Sequence, residues 1–264
     1  MIRFQKLIIK YQLPLFFLLA YLLSWWSLLV VRGLLPHGVA LAAVIVILLS
    51  AGKPGLREFW HRLINFRAGW LMFLASPVIV VGFKLFDIVS NLLAGATFAG
   101  FPQIPFAVIA IELLLLGGLW EEPGWSGYAL PALQKRFAKF KYGILIATLT
   151  LGIFRGIWHL PLFIVGAIPW YDVVWFTPFV FQPFISWLYN KSGGSVPVVM
   201  FFHYMSNLLF AVSPSFAGAD KPLYTILYMT FGGLATLVLV WKTRFKLGLH
   251  KDSLWGIKTD DKKS

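Results

Sequence analysis

The chain has 264 residues, 59% hydrophobic and only 12% charged, with a mean hydropathy of +0.79. Soluble domains run nearer half apolar and a quarter charged, so this composition excludes an ordinary soluble enzyme and predicts a polytopic membrane protein. With no cysteine, disulfides, thiolate nucleophiles and zinc–thiolate sites are excluded too, and the net charge of +13 is explained below by topology, not by a nucleic-acid partner.

In chain order, runs long enough to cross about 30 Å of hydrocarbon predict eight spans, at about 13–32, 37–52, 70–95, 106–134, 142–166, 173–190, 195–213 and 222–241. The first, "LPLFFLLAYLLSWWSLLVV", exceeds a signal-peptide core and lacks a small-residue cleavage site, so it is expected to be retained. Between the second and third, "LREFWHRLINFRAGW" alternates aromatic and basic residues at helical spacing, as an amphipathic helix in the membrane interface does. Trp25, Trp26, Trp70, Trp170 and Trp241 fall near span ends, where an aromatic belt belongs.

Lysine and arginine sort by loop. Arg3, Lys6 and Lys10 precede the first span; Lys53, Arg57, Arg62 and Arg67 follow the second. Lys135, Arg136, Lys139 and Lys141 follow the fourth, Lys191 follows the sixth, and seven more follow Trp241. The alternate loops hold only Arg32 and Lys221. Positive residues stay on the cytoplasmic side, so both termini are expected there. The expectation is an all-α integral membrane protein of about eight transmembrane helices. It forms one polytopic domain over 1–264, with a motif-bearing core at about 106–213 and a basic cytoplasmic tail at 242–264 that meets anionic lipid.

Several ionisable residues interrupt these spans, where each costs several kcal/mol unless it faces a bundle interior. Lys84 and Asp87, three apart on a helix, are expected to pair with each other. Glu112 would lie on the opposite side of an unbroken fourth helix from Glu121. His37 and His61 fall in loop or interface and read as solvated. The adjacent Glu121 and Glu122 share the middle of the bilayer with four other groups: Arg155 and His159 at i and i+4, and His203 and Asn207 at i and i+4. Counting back to the basic loops at 1.5 Å per residue puts Glu121, His159 and His203 roughly 21, 27 and 18 Å from the cytoplasmic ends of their helices. One layer can hold them all.

Two hydrolytic chemistries fit such a set. In one, a glutamate takes a proton from water while His and Asn groups donate to the developing oxyanion. In the other, the histidines and a glutamate hold a divalent metal such as zinc, and the second glutamate takes the proton. No HExxH is present to support a zincin-type reading. A secondary transporter relaying protons is a further class, but the halves show no matching hydropathy.

The stretches "EEPGWSGYALP", "IWHLPLF" and "HYMSN" resemble the three motifs of the CPBP (CAAX protease and bacteriocin-processing) intramembrane proteases, also called the type II CAAX prenyl endopeptidase or Abi family, which includes proteins like lysostaphin resistance protein A. The resemblance covers Glu121 to Asn207, on the fourth, fifth and seventh spans. It implies an all-helical fold with a conical cavity in a prokaryotic cell membrane, and cleavage of a membrane-associated peptide or protein by a glutamate-activated water. Glu121 would be the base with Glu122 beside it, and His159, His203 and Asn207 would organise water or oxyanion. The resemblance leaves the metal open; if one binds, His159 and His203 with Glu121 or Glu122 would hold it. It links prokaryotic members to bacteriocin maturation or self-immunity, and leaves as the alternative a catalytically weakened or inactive binding protein of the same fold. Two positions depart from the pattern. The first motif reads Glu-Glu-x-x-x-Arg, but its sixth position here is Ser126; the second has Phe or Trp four residues before the histidine, where this chain has Arg155. The expectation is that Arg155 replaces the missing guanidinium, pairing with Glu122 or a substrate carboxylate.

Overall fold

The structure, a computed structural model, describes residues 3–31 and 33–249. Arg32 and positions 250–264 of the basic tail lie outside the described residues. The chain runs as α1 (Arg3–Trp25), α2 (Leu28–Val31), α3 (His37–Ser50), α4 (Gly52–Leu63), α5 (Trp70–Leu93), β1 (Thr97–Gly100) and α6 (Phe106–Leu116). It continues through a 3₁₀ turn (Gly118–Glu121), α7 (Glu122–Gly124), a π-helical stretch (Trp125–Ala129) and α8 (Leu130–Phe137). Then come α9 (Gly143–Ile164), a second π-helical stretch (Asp172–Phe181), α10 (Gln182–Lys191), α11 (Val196–Val212), β2 (Ser215–Ala217) and α12 (Lys221–Lys242).

Among the described residues, four helices are long and apolar enough to cross a membrane: Gln5–Val30, Trp70–Leu93, Gly143–Ile164 and Lys221–Lys242. His37–Ser50 and Val196–Val212 are shorter apolar helices. The sequence-predicted spans at 106–134 and 173–190 correspond to the interrupted run from α6 to α8 and to the π-helical stretch leading into α10. The bundle is built inside out relative to a soluble protein. Large apolar side chains such as Leu74, Val78, Leu85, Leu115, Leu234 and Leu237 are exposed, as a lipid-facing surface requires. Trp26, Trp70, Trp170 and Trp241 are exposed as well, at helix ends.

One buried cluster joins α1, α3, α5, the broken fourth run, α9, α10 and α11. A close helix approach in it passes through Gly152 of α9: a Cβ there would lie 2.7 Å from both the Cα and the carbonyl oxygen of Pro178, so only glycine allows the contact. The amphipathic segment forms α4, whose Phe59 is buried while Arg57 and Trp60 face outward. Arg62 of α4 donates from Nη1 to the Gly127 carbonyl (2.9 Å), which pins α4 to the first π-helical stretch.

Two expectations change. The fourth span is not one helix: α6 stops at Gly117, whose backbone is extended (ψ 173°), so Glu112 and Glu121 have no fixed helical phase, and Glu112 is exposed. Pro123 and Pro131 supply no N–H, consistent with the irregular bonding around the glutamates. The fold is also not purely helical: β1 and β2 pair antiparallel, Phe98 opposite Phe216, tying the loop after α5 to the loop after α11. The start of the basic tail packs onto the bundle. Leu247 is buried and its carbonyl accepts from Asn190 Nδ2 (2.9 Å), while Asn190 Oδ1 accepts from Gln134 Nε2 (3.0 Å).

Candidate active site

The break at Gly117 aims two consecutive carboxylates into the bundle, each answered by the residue four positions on. Trp125 Nε1 donates to Glu121 Oε2 (3.1 Å), and Ser126 Oγ donates to Glu122 Oε2 (2.5 Å). Glu122 is fully buried, and its Oε1 also accepts from Arg155 Nη2 (2.9 Å) and from His203 Nδ1 (2.8 Å). Three elements therefore converge on one carboxylate: its own run, α9 and α11. The Arg155 guanidinium, 0% exposed, lies between the rings of Trp125 (5.8 Å) and Phe181 (5.9 Å). This cation compensates a charge whose burial alone would be strongly unfavourable.

His203 is held by Glu122 on one side and faces Gly118 on the other. A Cβ at 118 would lie 2.2 Å from His203 Nε2, so no larger residue admits the ring in this position. Phe181 meets the imidazole edge-on at 5.1 Å. His159 Nδ1 lies 2.9 Å from the carbonyl of Arg155 one turn earlier. A carbonyl or an ionised carboxylate only accepts, so both imidazoles carry a proton on Nδ1. In their neutral forms each then presents an Nε2 lone pair. Glu121, Arg155 and His203 are all close enough to His159 to interact with it electrostatically. Asn207, one turn after His203, is partly exposed, and its amide makes no hydrogen bond among the described residues.

The site thus has two layers. Glu122, Arg155 and Ser126 are fully buried with Glu122's oxygens committed. Glu121 Oε1, the two Nε2 atoms and the Asn207 amide keep free valences, and His159 and Asn207 are partly exposed. The tautomers resemble those of metal-ligating histidines, which donate their other N–H to a carboxylate or carbonyl. The positions do not fit a metal: among the described residues no three His, Asp or Glu side chains are arranged to hold an ion. The conditional set of His159 and His203 with Glu121 or Glu122 is therefore not brought together as a ligand shell.

Of the other ionisable groups, Lys84 and Asp87 pair (2.5 Å), and Asp87 also accepts from Asn91 (3.1 Å) and Tyr224 (2.8 Å). His37 stacks on Trp120 at 5.2 Å rather than standing solvated. Sequence reasoning missed Trp125 and Gly118. The first was readable from its i+4 spacing to Glu121. The second carries no signal until His203 is placed against it.

Residues 102–209 match the family described as type II CAAX prenyl endopeptidase Rce1-like. The chain is 30% identical over 168 residues to CAAX prenyl protease 2 of Methanococcus maripaludis, an alignment covering 58% of this chain and 59% of that protein. No solved structure matches. The matched region holds every residue of the two-layered site, and the chain spans less than two thirds of the length of the relative it matches.

Proposed function

We propose that the protein is an intramembrane endopeptidase that hydrolyses a peptide bond with a water activated by Glu121. The observation that carries this reading is the unequal treatment of the two carboxylates. Glu122 is committed to Arg155, His203 and Ser126, whereas Glu121 keeps one oxygen free within electrostatic range of His159. In the first step a water oxygen adds to the substrate carbonyl carbon and gives one proton to Glu121 Oε1. The water's other O–H donates to a histidine Nε2, and the Asn207 amide donates to the oxyanion that forms. In the second step the C–N bond breaks, Glu121 returns its proton to the leaving nitrogen, and the new carboxylic acid passes its remaining proton to the amine, so that a carboxylate and an ammonium depart. Glu122 and Arg155 hold His203 and fix the local charge without touching substrate. No metal enters these steps.

The family and the apolar surface support a membrane-associated peptide or protein as substrate, with membrane lipid as the surrounding partner. The sorting of Lys and Arg supports eight spans with both termini cytoplasmic, and the archaeal relative supports the cell membrane of a prokaryote. The test is peptide-cleavage profiling of the purified protein with and without chelator, beside Glu121→Gln. Products that vanish in Glu121→Gln and persist in chelator support the reading. An unchanged product pattern in Glu121→Gln removes it and leaves peptide binding without cleavage, as an immunity protein would use.

A further inference from the structure

Residues 51–69 link the apolar helix α3 to the membrane-crossing α5, so α4 lies where these two helices meet the membrane surface. Trp60 and Phe66 are exposed there, as is Trp70 at the start of α5. Exposed tryptophans at helix ends mark the level of the lipid headgroups. The basic residues of this segment share that level. Lys53, Arg57 and His61 stand at i, i+4 and i+8 along α4 and form one stripe of the helix. With Glu58 they line a hollow of about 470 Å³. Glu58 and His61 also line a second hollow of about 490 Å³, together with Arg62, Asn65 and Arg67. The two hollows therefore adjoin.

Their charge is one-sided. Glu58 is the only carboxylate among the lining residues, and Arg62 pairs with it. Lys53, Arg57 and Arg67 are exposed and pair with no carboxylate among the described residues. Cations left over at headgroup level attract phosphate, and a guanidinium matches it with two parallel N–H donors. A soluble anion would meet the same cations but would gain nothing from Trp60 and Phe66, which suit a ligand with an apolar part beside its charge. The walls are tied to the rest of the bundle. Besides the Arg62 bond to Gly127, the Asn65 carbonyl accepts from Ser195 Oγ (2.5 Å), and Ser195 caps α11 by accepting from the Val198 N–H (3.4 Å). Arg62 thus holds the run that carries Glu121 and Glu122, and Asn65 holds the start of the helix that carries His203 and Asn207.

We propose that the adjoining hollows beside α4 bind the phosphate headgroup of an anionic phospholipid, held by Lys53, Arg57 and Arg67, and that the bound headgroup braces both halves of the active site through Arg62 and Asn65. The binding site stands independently of the hydrolase reading; its effect on cleavage rests on that reading.

The test is native mass spectrometry of the full chain, titrated with phosphatidylglycerol or phosphatidylcholine. Phosphatidylglycerol should be retained at least fivefold more tightly. Arg57→Gln/Arg67→Gln should lose that preference, whereas Lys139→Gln/Lys141→Gln, which removes two exposed cations between α8 and α9, should keep it. Equal retention of the two lipids, or an equal loss in both double variants, would overturn the site and leave only a generally charged surface. Displacement of phosphatidylglycerol by inorganic phosphate or by hexaglutamate at equal concentration would overturn the lipid as occupant in favour of a free anion or an acidic peptide. In nanodiscs, peptide cleavage should run at least threefold faster with phosphatidylglycerol than in phosphatidylcholine alone, and Arg57→Gln/Arg67→Gln should not distinguish the two. Lipid-insensitive cleavage by the unaltered protein would overturn the bracing. Selective retention by a protein that cleaves no peptide in either disc would leave the lipid site standing and sink the hydrolase reading instead.

Discussion

Exchanging the two departures from the family pattern gives the sharpest view of the buried layer. In Arg155→Phe, Glu122 loses its only cationic partner among the described residues that is always charged, while keeping hydrogen bonds from Ser126 and His203. Removing one member of a buried ion pair costs about 3–5 kcal/mol, because the remaining charge is stranded. Ser126→Arg alone should also destabilise, since Ser126 is fully buried and the existing guanidinium occupies the space beside Glu122. Together the changes move the cation to the other side of the same carboxylate. The double mutant should therefore recover about half or more of the Arg155→Phe loss, giving a coupling of at least about 1.5–2.5 kcal/mol plus the cost of Ser126→Arg alone in a double-mutant cycle. The assay is chemical or thermal unfolding in one defined detergent, with His203 oxidation or NMR shift as a local probe. Additivity within about 0.5 kcal/mol would refute the argument that positions 126 and 155 serve one carboxylate.

Gly118→Ala places a Cβ 2.2 Å from His203 Nε2, so the ring must move; cleavage should fall at least tenfold while thermal stability changes little. Lys84→Met strands Asp87 and should cost about 3–5 kcal/mol, whereas Lys84→Met/Asp87→Leu should recover most of it; equal losses in both would show that the pair does not carry the effect. The chain has no cysteine, so single cysteines report topology without background. In intact cells an impermeant maleimide should label Gln103→Cys and spare Lys139→Cys, and the reverse pattern would invert the assigned orientation.

Hydropathy alone reveals where most helices lie, because lipid-facing and core-facing residues are both apolar and their runs are long. It does not reveal where helices break. Within a bilayer, neighbouring helices can satisfy the backbone groups freed at Gly117 and near Pro123, so no polar residue has to mark the interruption. For the same reason the phase of Glu112 could not be read from an ideal helix. The catalytic-type residues were legible because ionisable groups stand out against such a background. Their partners were legible only in part: Glu121 with Trp125 and Glu122 with Ser126 are local spacings, but the meeting of Glu122 with His203, 81 positions away, is set by packing of α11. The β1–β2 ribbon, four residues against three, is too short for an alternation pattern.

The central claim is that Glu121 does chemistry and Glu122 holds structure. Glu121→Gln and Glu122→Gln, compared side by side for single-turnover peptide cleavage and for unfolding midpoint, test it directly. Glu121→Gln should lose at least a thousandfold in rate at an unchanged midpoint, and Glu122→Gln should lose rate and stability together as Arg155 and His203 are released. A Glu121→Gln protein that still cleaves, or a Glu122→Gln protein as stable as the parent, would contradict the account.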